Sequence, residues 1–214
     1  QKPTFSDEEY SDFQRIAQKV VDAMSAVYNE PLVLDQATVS RTNHHGHPPH
    51  ADNVQFGSVW WRGNQIRQSD ELTAVREGAV VHWVDAKTSY RNYSATVALS
   101  HPSEYRGGTL EFFKQWGDKD PHVTYKFQPG DGVAFCGCEK NMHAVTSVKW
   151  GFRLVLLIWT RSPQAVVPEE QKKVCYFRPG TGCSIWLTAS DMEWYPSRKS
   201  KRLACWDSTE AEDE

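Results

Sequence analysis

Hydrophobic positions recur along the chain with two periods, and each period predicts a different element. Near the start, Phe5, Tyr10, Phe13, Ile16, Val20, Met24 and Val27 follow one another at steps of three to five. This is one apolar stripe of a helix running to about Tyr28. Ser6 to Glu9 reads as a capping box, with Asp7 and Glu8 in the positive first turn, and Pro31 stops the helix. From Leu32 to Thr42 the chain is β-branched and partly alternating, the signature of a strand. Residues 43–53 carry Gly46, Pro48 and Pro49 and predict a tight, stiff loop rather than regular structure. Strand patterns then follow closely, over residues 93–100, 109–114, 123–128, 133–136 and 152–160. Gly107 and Gly108 are expected to serve backbone geometry before the second of these, and 129–132 is a turn. The last strand contains Leu154 to Trp159, apolar on both faces. Many short strands with one helix point to a sandwich or barrel.

Two stretches are less legible. Residues 54–92 hold Trp60, Trp61 and Trp83 among charges and read as an insertion or flap, with a short helix near 70–76. Beyond Pro163 the composition changes to a Cys- and Trp-containing extension, over 163–214, with a basic run at 198–202 and an acidic end. The expected organisation is one β domain over 1–162 with that extension, packed on the core or not.

Composition narrows the function classes. The 214 residues carry 24 Lys and Arg against 27 Asp and Glu, a net charge of −3. No polybasic field exists to hold nucleic acid or an anionic membrane, so neither is expected as a partner. No apolar run approaches the roughly 18 residues of a spanning helix. Five cysteines, an odd number, argue against a complete disulfide framework. Asn92-Tyr93-Ser94 is a glycosylation sequon that matters only in a secretory protein, and a chain starting at Gln1 reads as trimmed. A reduced and a secretory compartment therefore stay equally open.

The candidate chemistry lies in the histidines. Of the eight, only His50 has a carboxylate two positions later, Asp52. On a strand or its edge, such residues point the same way and can converge on one ion. His143 is followed ten residues later by Arg153, which enters the most hydrophobic strand. A guanidinium there must be paired, because a buried unpaired charge costs several kcal/mol. Its partner is either an internal acid or a carboxylate ligand held in a bidentate clamp. Two His and one Asp with open positions suit a non-haem Fe(II) oxygenase. Cys136 and Cys138 with His143 compete as a Zn site.

These pieces together resemble the Fe(II)/2-oxoglutarate-dependent dioxygenases of the prolyl 4-hydroxylase-like branch. The matching segments are His50-x-Asp52, residues 93–100, residues 104–112, residues 129–135, His143-x9-Arg153 and Trp159. The likeness covers roughly residues 5–162 and implies a double-stranded β-helix, or jelly roll, packed against the N-terminal helix. It implies Fe(II) on His50, Asp52 and His143, and 2-oxoglutarate paired with Arg153. It also leaves room for ascorbate as a reductant. The implied reaction hydroxylates a peptidyl proline or another amino-acid side chain with O₂, while 2-oxoglutarate is decarboxylated to succinate and CO₂. The same chemistry on a free small molecule or nucleobase is an alternative, as is a binding module without turnover.

Two departures bear on the site. The oxygen-sensing members have a Tyr near Ala98 that touches 2-oxoglutarate; Thr96 or Thr42 stands in for it here. Asp52 is present where related halogenases have a small residue, which argues against halogenation. His44, His45 and His47 are expected to be ordinary loop residues. Asn53 and Arg62 are candidates for substrate contact near the metal mouth.

Overall fold

A computed structural model describes residues 7–42, 46–61, 64–66, 80–116, 118–168 and 187–188. Helix α1 spans Asp7–Tyr28 and is followed by β1 (Val33–Thr42), β2 (His47–His50), β3 (Val54–Trp61), β4 (Asn64–Ile66) and β5 (Val80–Asp85). Then come β6 (Arg91–Ala98), β7 (Tyr105–Gly107), β8 (Leu110–Phe113), β9 (Val123–Tyr125) and β10 (Gly132–Cys136). The last are β11 (Met142–Val145), β12 (Val148–Gly151), β13 (Arg153–Arg161) and β14 (Leu187–Thr188).

The order of pairing defines the architecture. One sheet runs β10-β6-β13-β1-β14 and the other β2-β11-β8-β9, with antiparallel pairs throughout. Leaving out β14 and the strands inserted between, eight core strands alternate between the sheets: first, third, sixth and eighth in one, second, fourth, fifth and seventh in the other. That alternation is a jelly roll, the double-stranded β-helix expected from the sequence.

Period-two alternation then divides the work of the larger sheet between its faces. Leu156 and Ile158 on β13 point outward and join Leu34, Ala37 and Ala95 against Ala17, Val21 and Met24 of α1. Arg153, Val155, Leu157 and Trp159 point inward to a cavity between the sheets, as do Thr38, Ser40 and Thr42 of β1. Beside the cavity the sheets close on Phe112, Phe127 and Phe135.

The helix packs somewhat differently from its predicted stripe. Ile16 and Val27 are 44% and 77% exposed, whereas Ala17 and Val21 are fully buried. Small Ala17 lets the backbone approach the sheet, and the buried stripe runs through 13, 17, 20, 21, 24 and 28, one position on from Ile16 and Val27. Asn29 closes the helix at φ 53°, a conformation asparagine tolerates at this position. The predicted cap at Ser6 lies outside the described residues.

The loop expected over 43–53 is in part a strand. His47–His50 pairs with β11 through His50 opposite His143 and Val145 opposite His47. Its two prolines fall between these pairs, at a register irregularity on the edge strand of the sheet, where a missing N–H is tolerated. The insertion over 54–92 also has order: β4-β3-β5 form a three-stranded sheet. Trp83 of β5 packs with Trp116 on Phe113, Met142 and Ala144. The insertion thus covers the outer face of the smaller sheet at that point, and Trp83 is a packing residue. The helix expected near 70–76 lies outside the described residues, as does most of the extension after Pro163. Leu187 and Thr188 pair with Ala37 and Gln36 at the sheet edge.

Candidate metal centre and keto-acid pocket

The pairing of β2 with β11 sets His50 directly opposite His143. Their ring centroids are 4.3 Å apart. The chain then turns, and Asp52 N and Asn53 N both donate to Gly137 O at 2.9 Å, while Thr88 Oγ1 donates to Asp52 O at 2.7 Å. Asp52 is thereby held beside the two imidazoles. Donor atoms of His50, Asp52 and His143 all lie within 4.8 Å of one another. His50 Nε2 is 3.6 Å from Asp52 Oδ1. Two donors of one ion stand about 3–4 Å apart when each bond is roughly 2.0–2.2 Å, so this spacing suits a shared cation.

Tautomers follow from the partners. His143 Nδ1 faces Asn141 O at 3.0 Å and His50 Nδ1 faces Pro48 O at 2.9 Å. A carbonyl can only accept, so in each ring Nδ1 carries the hydrogen. Each Nε2 keeps its lone pair, and the outward hydrogen bond fixes the ring's orientation. Burial lowers the pKa of both rings. For His50 the neighbouring His143 adds to that effect, while Asp52 opposes it in both. Both imidazoles are therefore biased toward the neutral form a metal needs.

Asp52 Oδ2 accepts from Ser94 Oγ at 2.5 Å. In the sequence Ser94 falls in the strand over 93–100 and in a sequon, with no role at the site assigned to it. Its role needs a contact across 42 positions, which no local pattern announces.

The three side chains open on a cavity of about 320 Å³ that Arg153 also lines. Arg153 is 4% exposed. It donates a hydrogen bond to Tyr105, and burial lowers its pKa. Gly108, at φ 65°, leaves the room its stem occupies: a Cβ there would stand 2.9 Å from Arg153 Cδ. Among the described residues no carboxylate lies within 4 Å of Arg153, so the internal acid weighed as its partner is not found there. The contrast with Arg91 is informative. Arg91 is 8% exposed, and its Nε donates to Asp35 Oδ2 at 2.7 Å and Nη2 to Gln36 Oε1 at 2.5 Å. A buried arginine with a structural role is given an acid; Arg153 faces a cavity.

Thr42, Thr96 and Trp159, the other expected cofactor contacts, all line the same cavity. Thr38 was missed. It is 2% exposed, lines the cavity, and its Oγ1 has no hydrogen-bond partner. An unpaired buried hydroxyl costs about 1–3 kcal/mol, and here it is available to an anionic ligand. Trp159 is held from behind by the Arg91 guanidinium, 5.1 Å from its ring. His47 lines the cavity too, but its Nδ1 meets His50 Nδ1, on the far side of that ring from Nε2. Asn53 does not line it; its amide donates to Arg91 O. His44, His45 and Arg62 lie outside the described residues.

The competing Zn site is not assembled among the described residues, where the one group of metal-donor side chains is the His-Asp-His set. Burial pushes the Cys136 thiol up to about 11. Cys175, Cys183 and Cys205 lie outside the described residues.

No protein-family model matches the chain. It is similar to a PKHD-type hydroxylase of Teredinibacter turnerae, 30% identical over 101 residues, 47% of this chain and 41% of that protein. A PKHD-type hydroxylase of Crocosphaera subtropica is 39% identical over 69 residues, 32% of this chain and 28% of that protein. The chain thus spans less than half the length of these curated relatives. Among solved structures, a viral collagen prolyl hydroxylase from Paramecium Bursaria Chlorella virus-1, in complex with 2OG, is 14% identical with a TM-score of 0.40. That match covers 77% of this chain and 94% of the viral one, and at that score it adds nothing to the topology above.

Proposed function

We propose that the chain is an Fe(II)- and 2-oxoglutarate-dependent hydroxylase acting on a peptidyl proline or another amino-acid side chain. One observation carries the proposal. Two imidazoles and a carboxylate converge on a cavity that also holds a buried arginine with no carboxylate partner among the described residues. The donor set fits the ion: nitrogen and oxygen donors suit Fe(II), and three of them leave positions for a chelating keto acid and O₂. With Fe(II) and 2-oxoglutarate bound, such a centre couples decarboxylation of the keto acid to succinate and CO₂ with hydroxylation of a substrate C–H bond by O₂.

The chain's own part is binding, orientation and exclusion of water. His50, His143 and Asp52, the last through Oδ1, would hold the ion. Arg153 would pair with the distal carboxylate of 2-oxoglutarate, with the Thr42 hydroxyl beside it across β1, while Thr38 and Thr96 flank Leu157 four residues along β13 and face the rest of the cavity. Leu110, Phe135, Val155 and Leu157 keep the pocket apolar, which strengthens that pairing. Amino-acid side chains are preferred as substrate because the sequence resembles the prolyl 4-hydroxylase-like branch; the curated relatives are named as hydroxylases. Residues 1–162 form the oxygenase domain in this reading, with 163–214 an extension of it.

The test is succinate release with Fe(II), 2-oxoglutarate and O₂, in parallel with mass spectrometry of pooled peptides, metabolites and nucleobases for a +16 Da product. Wild type is expected to release succinate and to modify the peptide pool, while His143→Ala and Asp52→Ala do neither. Equal signals from all three proteins would defeat the proposal. Metal uptake without succinate would point instead to a binding module.

A further inference from the structure

The two oxygens of Asp52 face different partners. Oδ1 looks at His50 Nε2 across 3.6 Å, a gap too long for a hydrogen bond. Oδ2 takes the hydroxyl of Ser94. Ser94 cannot drift: it is 3% exposed, on β6, opposite Phe135 on one side and Trp159 on the other. β6 lies inside its sheet, between β10 and β13, so the backbone that carries Ser94 is held on both edges. The main chain of Asp52 is fixed independently, by Gly137 O and Thr88 Oγ1. With its backbone fixed, the Asp52 side chain keeps two torsions, χ1 and χ2, and the Ser94 hydroxyl is the contact that restrains the carboxylate.

We propose that Ser94 is a positioning residue for the metal centre: by occupying Asp52 Oδ2 it makes Asp52 a one-oxygen ligand through Oδ1 and keeps the neighbouring coordination position open. This rests on the proposed metal site and adds a residue to it. A carboxylate with both oxygens free can chelate an ion through both, closing a position that a keto acid or O₂ would need. Hydrogen-bonded supports of this kind change metal affinity by about 10- to 100-fold when removed.

The test uses the full chain and Co(II) as a probe whose visible absorption reports coordination number. Wild type, Ser94→Ala and Ser94→Thr are titrated anaerobically with Co(II), without 2-oxoglutarate, and their near-ultraviolet circular dichroism checks the fold. Ser94→Ala is expected to keep its fold, to bind Co(II) roughly 10- to 100-fold more weakly and to show an altered visible spectrum. Ser94→Thr, which keeps the hydroxyl, is expected to restore both. A Ser94→Ala protein matching wild type in affinity and spectrum overturns this inference alone, as does a loss that the threonine does not repair. A wild-type chain that takes up no Co(II) overturns the metal site and this inference with it.

Discussion

Arg153→Met is expected to separate stability from ligand binding in opposite directions. In the folded chain the guanidinium is 4% exposed, with Tyr105 as a hydrogen-bond partner and no carboxylate within 4 Å among the described residues. Methionine has a similar stem and no charge to desolvate. Replacing buried charges by well-packed apolar side chains is often neutral or stabilising by about 1–4 kcal/mol. Unfolding of the ligand-free variant should therefore be no easier than that of wild type. Binding should suffer. Loss of one partner from a buried charge pair costs about 3–5 kcal/mol. At about 1.4 kcal/mol per decade, 2-oxoglutarate affinity should fall roughly 100- to 4,000-fold. The assay is paired: urea unfolding of the ligand-free proteins, and calorimetric titration of 2-oxoglutarate into protein loaded with Mn(II), which holds the site without turnover. A variant that unfolds much more easily yet binds 2-oxoglutarate like wild type would make Arg153 a structural residue and refute the reasoning.

Gly108→Ala should disturb the same pocket from behind. Its φ of 65° costs a Cβ about 1–2 kcal/mol, and that Cβ would stand 2.9 Å from Arg153 Cδ. Weaker 2-oxoglutarate binding together with a lower urea midpoint is expected; unchanged affinity would show that the stem of Arg153 is free to move. Cys136 should resist alkylation, because reactivity belongs to the thiolate and burial pushes this thiol up to about 11. At pH 8 its thiolate fraction is roughly 100-fold or more below that of a free thiol near 8.5, and labelling should accelerate only as pH rises toward 11. Peptide mapping after iodoacetamide checks this, and rapid labelling of Cys136 at pH 8 would contradict it.

What the sequence discloses and what it hides have separate physical causes. The strands β8, β10 and β13 announce themselves because one or both faces are buried, and burial writes an alternating or continuous apolar pattern. His50, Asp52, His143 and Arg153 are legible as a proposed site because metal and anion chemistry restricts residue types at fixed spacings. β2 is hidden by Pro48 and Pro49, which argue locally against a strand and are tolerated only because it lies at a sheet edge. β5 carries Trp83, which packs on the outside of the sandwich, so its pattern resembles neither a core strand nor a loop. Ser94, Thr38 and Gly108 are ordinary residues locally. Their roles exist only once β6, β1 and the turn before β8 are brought against Asp52, the cavity and Arg153.

The central claim is that one cavity holds a metal on His50, Asp52 and His143 and a keto acid on Arg153. Anomalous diffraction from crystals grown anaerobically with Mn(II) and 2-oxoglutarate tests it most directly. The account requires a single strong peak about 2.0–2.3 Å from His50 Nε2, His143 Nε2 and Asp52 Oδ1. It also requires the distal carboxylate of the ligand to lie in hydrogen-bond contact with Arg153. A peak at Cys136 and Cys138, or an Arg153 paired with an acid of the protein itself while the ligand sits elsewhere, would contradict it.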